Sequence, residues 1–407
     1  MNFTRAKFIM LAICFLAIFF FSNDFGLIDV EKASIVTAVA IDKADDEYEV
    51  SLQITVPDAN SENTNAKVIV SGKGKTIAEA IGDVTTTTGW YQKLAFCNMI
   101  IIGEDLLDTN VMDFLDYFSK SLKIQGSALL AATEGKAKDL LTTASPLDNI
   151  SSFALQKIIL QKSGMESDVL SVDVKTFSIG YYSRSSSSYM PFVKTIKQKE
   201  EDQTQAASSS NTGGKIAEQS GNKQENKSTF SATETVLFRK GKRVGLLTEE
   251  ETLASIYVKK TKKDTAIIVN DVEIDGQKVN YMLNVLKNKP KVSIKTDGRN
   301  VTLKIKQDFY VKIADETSAD KELSNTPAIL VPKQVEEKAR QNMEKSILSL
   351  VQKCKDTRTD ILQIDEMLYK FHHKDYEKLK DFWQNLSTDV KVTVHGQHAI
   401  KKAENYN

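Results

Sequence analysis

The sequence predicts an α+β protein of more than one domain, with mixed or antiparallel sheets flanked by helices and an N-terminal membrane-anchoring helix. Three observations carry this. Residues 8–21 (FIMLAICFLAIFFF) form an unbroken apolar run that nothing later in the chain approaches. Behind it, β-branched and alternating segments interleave with helical periodicity, without a regular βαβ rhythm. Residues 197–229 then break the pattern with a stretch almost free of large apolar side chains.

The apolar run has Arg5 and Lys7 before it and Ser22-Asn23-Asp24 after it. Basic residues ahead of such a run favour an N-terminus kept in the cytoplasm and a body pushed across the membrane. The run is shorter than the ~20 residues of a comfortable span, which leaves three fates open. Cleavage after Ser22 would put bulky Phe20 where a small residue is wanted. Lipidation at Cys14 would need a small residue where Ile13 stands. An uncleaved anchor, extended by Lys7 snorkelling and by apolar residues 25–28, is favoured, with cleavage next.

At 407 residues, 41% of them hydrophobic, the chain can hold two or three domains with cores of their own. Lysine plus arginine and aspartate plus glutamate each number 54, for zero net charge. That balance argues against nucleic acid as a partner, which wants a basic field. The three cysteines, Cys14, Cys97 and Cys354, show neither a disulfide framework nor a metal spacing, so Cys97 and Cys354 read as buried thiols.

Segments 33–42 and 48–56 read as two strands joined at Asp45-Asp46, and 67–71 as a third. A helix follows over 76–86. Strands at 91–102 and 126–132, and helices at 111–122, 136–142, 149–161 and 174–182, complete the first region, with 190–193 its last strand. Residues 197–228 cannot bury enough apolar surface to offset their ordering entropy and are expected to be a disordered linker. After it come a hairpin over 233–247 turning at Lys240-Gly241-Lys242, and a helix over 249–257. Strands are expected at 266–274, 277–286, 291–296 and 300–313. A long charged helix spans 333–355, with Val335, Met343, Ile347, Leu348 and Val351 inward. Helices at 361–371 and 376–386 and a strand at 389–399 end the chain. In the helix over 376–386, Leu379, Phe382, Trp383 and Leu386 make one apolar stripe, read as core. The expected domains are an anchor at 1–28, an N-terminal α+β region at 29–196, the linker at 197–229 and a C-terminal α+β domain at 230–407.

Candidate chemistry is sparse. Residues 71–76 (SGKGKT) end like a phosphate-binding loop, but Ile69 stands where its first glycine belongs. A helix start behind a glycine turn explains them better. The four histidines, His372, His373, His395 and His398, have no carboxylate cluster to complete a metal set. On a strand, His395 and His398 point to opposite faces. No G-x-S-x-G elbow is present. The basic run at 259–263 (KKTKK) reads first as a wet face and second as a contact for anionic headgroups. No catalytic, cofactor-binding or metal-binding residue is assigned.

Several stretches resemble the Ger(x)C family, the C subunits of spore germinant receptors. They are IVTAVAID at 35–42 followed by YEVSLQ at 48–53, GKTIAEAIGDV at 74–84, IIGE at 101–104 and TEEETLA at 248–254. Asp365, Phe382-Trp383 and the strand at 390–394 complete the pattern. The resemblance covers nearly the whole body and removes the phosphate-loop reading. It departs at the front. The family's lipidated cysteine and the tryptophan after it would fall at Asp24 and Phe25, so no thiol is there to carry a diacylglycerol.

The resemblance implies a non-enzymatic subunit of a nutrient germinant receptor on the outer face of the spore inner membrane. Its implied partners are the bilayer and two integral-membrane subunits, with no cofactor; any contact with the germinant is left open. The alternatives are an exported cell-envelope enzyme, which would need paired carboxylates or a nucleophile pair, and a surface solute-binding protein, which would need two hinged lobes.

Overall fold

The computed structural model describes residues 7, 10–13, 15–16, 33–56, 66–120, 124–143, 148, 150–160, 169–197, 228–259, 265–274, 276–318 and 330–396. In the N-terminal run, Lys7, Met10 to Ile13, Phe15 and Leu16 are helical and exposed. Among the described residues no helix is long and apolar enough to cross a membrane. Most of the predicted linker (198–227), His398, and residues 260–263 of the basic run lie outside the described residues.

The first sheet opens with a meander of β1 (Ala33–Ala44), β2 (Glu47–Val56) and β3 (Ala66–Gly74). Asp45, at φ 55°, makes the tight β1–β2 turn, a conformation that aspartate tolerates. Helix α1 (Ile77–Thr88) leads to β4 (Tyr91–Lys93) and β5 (Met99–Ile102). Then come α2 (Met112–Lys120), β6 (Leu129–Thr133), α3 (Ala137–Thr142), α4 (Ser151–Leu160), β7 (Val172–Asp173), α5 (Val174–Tyr182) and β8 (Ser187–Lys197). Strands β9 (Ser228–Arg239) and β10 (Lys242–Leu247) finish the sheet.

The strand order is β10-β9-β8-β6-β5-β1-β2-β3, with β4 on β1 and β7 on β6. The four inner strands β8, β6, β5 and β1 run parallel; the flanking ones are antiparallel. Parallel strands are buried on both faces and therefore read as continuous apolar runs. Here Val39, Ile41, Ile100, Ile102 and Leu130 pack beneath α1, α2 and α5. Ala38, Ala40, Ile101 and Ala131 face α3 and α4. Alanines on that second face let those two helices sit close to the sheet.

The second sheet is β11 (Thr265–Ile274), β12 (Gln277–Thr296), β13 (Val301–Ser318) and β14 (Leu386–Gly396), in that order. A long hairpin joins β12 to β13. The parallel β13–β14 pair is bridged by α7 (Lys333–Thr357), α8 (Ile364–Phe371) and α9 (Tyr376–Leu379). Helix α7 covers the inner face through Val335, Ala339, Met343, Ile347, Leu350, Val351 and Cys354. Between the sheets runs α6 (Glu249–Lys259).

Four expectations need correction. The stretch at 91–102 is broken by a 3-10 turn at Leu94–Phe96, which tucks Cys97 inward with its thiol on the Met99 carbonyl oxygen at 3.2 Å. The separate strands expected at 277–286 and 291–296 are one 20-residue strand running through Pro290. Pairing with β11 ends at Val285, so no described strand pairs with that side of Pro290, where its missing N–H is tolerated. Leu348 is 47% exposed and Leu350 is buried in its place, because a straight helix puts 347, 350, 351 and 354 on one side. Residues 376–386 form α9 and a 3-10 turn at Phe382–Asn385 instead of one helix, and β14 already starts at Leu386. Trp383 is nonetheless buried, 8% exposed, in one cluster with Ile347, Val351, Val392 and Val394.

Residue 230, the expected start of the second domain, falls within β9, a strand of the first sheet. Strands β9 and β10 pair back onto β8, and Lys197 is the register partner of Ser228. Segment 198–227 therefore leaves and re-enters the fold at neighbouring points of adjacent strands. Leu237 and Leu247 from these strands join the apolar cluster of the second sheet.

Candidate functional site

The glycines of SGKGKT are required by packing. A Cβ on Gly72 would fall on the Ala80 carbonyl oxygen, and one on Gly74 would lie 2.6 Å from the Ala80 nitrogen. Strand β3 and α1 touch backbone to backbone there. Thr76 is the N-cap of α1, accepting from the Glu79 N–H at 3.2 Å, while the Glu79 carboxylate accepts from the Lys75 N–H at 2.9 Å. This is a variant of the capping box, in which a side chain three residues on reaches back to a free donor. The loop's backbone is engaged by its own helix.

The carboxyl ends of parallel strands are where open α/β sheets usually bind ligands. In this protein Asp42, at the end of β1, fills that place. Its carboxylate accepts from the backbone N–H of Ala137 at 2.7 Å and of Lys138 at 2.9 Å, closing the start of α3. Burial, the largest influence, raises its pKa, and the two N–H donors pull the other way. Gly103 has no Cβ because Asp42 occupies that space. Glu104 accepts from the Gly135 N–H at 3.1 Å, and Arg243 on β10 reaches Glu104 at 3.3 Å. Arg243 also forks onto Asp108 with contacts of 2.9 and 2.8 Å. The resulting hydrogen bonds hold the Asp108 carboxyl below its usual range. The AVAID and IIGE stretches thus fasten β1, β5, β6 and β10 together.

A second set of polar contacts fastens the two sheets. Thr248 and Glu251 cap α6 reciprocally, at 3.3 and 3.0 Å, and Glu251 accepts from Ser349 of α7 at 2.6 Å. Buried Asn288 and Gln307, on the inner face of the second sheet, both donate to the Tyr257 carbonyl near the end of α6, at 3.0 and 2.9 Å. Asp360 accepts from the Ile364 and Asp365 N–H groups at 2.7 and 2.8 Å, and its own N–H donates to Ser187 of β8 at 2.9 Å. Burial pushes its carboxyl up to about 6, against those donors. Asp365 accepts from the Tyr376 hydroxyl at 3.0 Å. Arg184, just before β8, lies 3.4 Å above the Tyr369 ring and reaches Glu366 at 3.1 Å.

The described histidines do not converge on one site. His395 stacks on Tyr310, and His373 packs edge-on against Tyr369. Cys97 and Cys354 are buried, and burial raises both thiols, Cys97 to about 12, so neither is a nucleophile. Among the described residues no cluster of His, Cys, Asp or Glu could hold a metal ion. Lys259, the described member of the basic run, lies 4.1 Å above the Tyr189 ring.

Open clefts are present among the described residues. One, about 660 Å³, runs between α6, α7 and β14 past Lys345, Gln352 and Thr388. The other, about 590 Å³, lies at the amino ends of β5 and β6, beside Phe96, Asn98, Gln156 and Leu160. In the first, Ser349 donates to Glu251, whose carboxylate is also taken up by the Thr248 N–H of the α6 cap; no histidine lines either cleft. Sequence reasoning did not single out Arg243, Ser187 or Asp360. Only Asp360 left a signal, as an acidic residue four before the first turn of a helix; the other two act across the fold.

Comparison with known proteins agrees with this architecture. A spore germination protein N-terminal domain model matches residues 27–195, and a spore germination B3/GerAC-like C-terminal model matches 233–402. Two proteins of Bacillus subtilis (strain 168) are 19% identical to this chain: the putative spore germination protein YfkR over 381 residues and spore germination protein KC over 396 residues. Each alignment covers 90% of this chain and 89% of the relative. The crystal structure of the GerBC protein shares the fold, with a TM-score of 0.50 at 16% identity, covering 90% of this chain and 99% of that one. With both halves of its body matched in order, the chain belongs to the Ger(x)C family of spore germination proteins.

Proposed function

We propose that this protein is the C subunit of a spore nutrient germinant receptor, a non-catalytic component that works with integral-membrane partner subunits. The observation that carries the reading is how the family-like stretches are used. Asp42, Gly103, Glu104, Glu251 and Asp365 cap helices and fasten strands and sheets, and Glu251, which also lines a cleft, is taken up there by Ser349 and the α6 cap. A body fastened in this way suits a part that transmits or permits a signal through its surfaces. The apolar run at 8–21, with Asp24 at the position of the lipidated cysteine, supports a body held outside the membrane by its own N-terminus.

Deletion of the gene in its spore-forming host tests the role. Spores lacking it should fail to release dipicolinic acid in response to at least one nutrient and still respond to a non-nutrient trigger. A tagged copy should co-purify with polytopic membrane proteins after crosslinking. Normal responses to every nutrient, or crosslinks to soluble proteins alone, would refute the proposal. Palmitate labelling separates the anchors: incorporated label would show that lipid, not the apolar run, holds the protein.

A further inference from the structure

The outer face of the second sheet is basic across β12, β13 and β14, although the chain carries no net charge. Register fixes which side chains share it. Val292, Ile305 and Phe309 mark the inner face, so alternate residues point outward. From β12 these are Lys287, Lys289, Lys291 and Lys295; from β13, Lys304, Lys306 and Lys312; from β14, Lys391. Asp308, Asp315 and Asp389 are the acidic residues on that side of β12 to β14; Asp308 and Asp389 pair with Lys306 at 3.4 Å and Lys304 at 2.9 Å, and Asp315 lies towards the far end of β13. Among the described residues Lys287, Lys291, Lys295, Lys312 and Lys391 make no ion pair, and all five are exposed. No described helix covers this face; α7 packs on the other.

We infer that this face docks on anionic phospholipid headgroups. The choice of a lipid surface over an acidic protein follows from the side chains. Protein interfaces are enriched in arginine and aromatic residues and depleted in lysine. This face has no arginine at its outward positions, and its one tyrosine, Tyr310, is engaged by the stacked His395 ring and by Lys289, whose Nζ lies 5.0 Å from the ring centroid. Lysine is a compact charge on a flexible stem, suited to a shifting array of phosphates. Three strands over about nine residues present roughly 30 by 10 Å of shallow surface, matched to a bilayer plane and not to a groove. The inference rests on the proposed membrane location only to bring the face near a bilayer.

The test uses the full chain with vesicles of phosphatidylcholine alone, or with about a third of the lipid replaced by phosphatidylglycerol. Flotation reports attachment, and brief lysine acetylation read by mass spectrometry reports the face, with exposed Lys43 and Lys75 as references. On anionic vesicles Lys287, Lys291 and Lys391 should react several-fold more slowly than on neutral ones, and 0.5 M NaCl should abolish the difference. The variant Lys287→Glu/Lys291→Glu/Lys391→Glu, with an unchanged melting curve, should lose the slowing at Lys306 and Lys312. Its charge-dependent affinity should fall by roughly fivefold per lysine, on the order of a hundredfold in all. Flotation on both vesicles with equal lysine reactivity overturns the inference and leaves the apolar anchor standing. Flotation on anionic vesicles alone, with protected lysines, supports the face and removes the anchor. Flotation on neither overturns both. Protection by soluble polyglutamate without protection on anionic vesicles would reassign the face to an acidic polypeptide and overturn the inference.

Discussion

Replacing residues 198–227 with Asn-Gly should stabilise the protein and leave one cooperative unit. Lys197 and Ser228 are register partners on adjacent antiparallel strands, followed inward by Ile196 with Thr229 and Thr195 with Phe230. A two-residue type I′ turn closes such a pair without moving either strand. Treated as the flexible chain its composition predicts, the segment costs closure entropy that scales as (3/2)RT ln n. Going from about thirty residues to two lowers this by about 2.4 kcal/mol. For a protein of this size that corresponds to a melting temperature higher by about 3 °C. Differential scanning calorimetry measures it directly. Limited proteolysis of the parent chain supplies the second arm. Cleavage within 198–227 should leave two fragments that co-elute in gel filtration, because β8 and β9 remain paired and Leu237 and Leu247 sit in the second sheet's core. A lower melting temperature in the shortened variant, or fragments that elute separately and stay folded, would refute the reasoning.

Three further outcomes are expected. Trp383→Ala empties a site that is 8% exposed and should cost about 3–5 kcal/mol, seen as a lower urea midpoint; a midpoint equal to wild type would deny its place in the core. Gly72→Ala puts a methyl on the Ala80 carbonyl and should destabilise by at least about 1–3 kcal/mol, while Gly82→Ala, where a Cβ meets nothing within 4 Å, should not, as thermal melts of the two variants would show. Asp360 should make stability depend on pH. Its carboxyl is raised from 3.8 to about 6 by burial, so the folded state holds the proton more tightly than the unfolded chain. The contribution is full below about pH 4 and is lost as pH rises through 6, by up to about 3 kcal/mol, with Asp365 adding in the same direction. Urea titrations of Asp360→Asn across that window should show a flatter profile; an unchanged slope would reject the assignment.

Local patterning by itself determined most of the elements. β-branched apolar composition placed β1, alternation placed β2, and inward apolar spacing placed α7 nearly to its ends; the helix expected at 174–182 forms at those residues as α5, and Lys240-Gly241 turned the β9–β10 hairpin with positive φ at both residues. These depend on interactions within a few residues, which the chain order displays. The sequence also carried the family resemblance and the burial of Trp383. What it could not display is which elements become neighbours. A composition break between β8 and β9 looks like a domain boundary, yet the strands on either side pair with each other, because the β8 edge offered β9 its backbone partners. Pro290 looks like a turn until β11 is seen to stop at Val285. The joining groups were hidden for the same reason: Ser187 and Asp360 are 173 residues apart, and Arg243 and Asp108 are 135 apart. The basic face was the least legible of all. Its lysines are scattered singly along three strands in a chain of zero net charge, and only the register of β12, β13 and β14 turns their alternation into one surface.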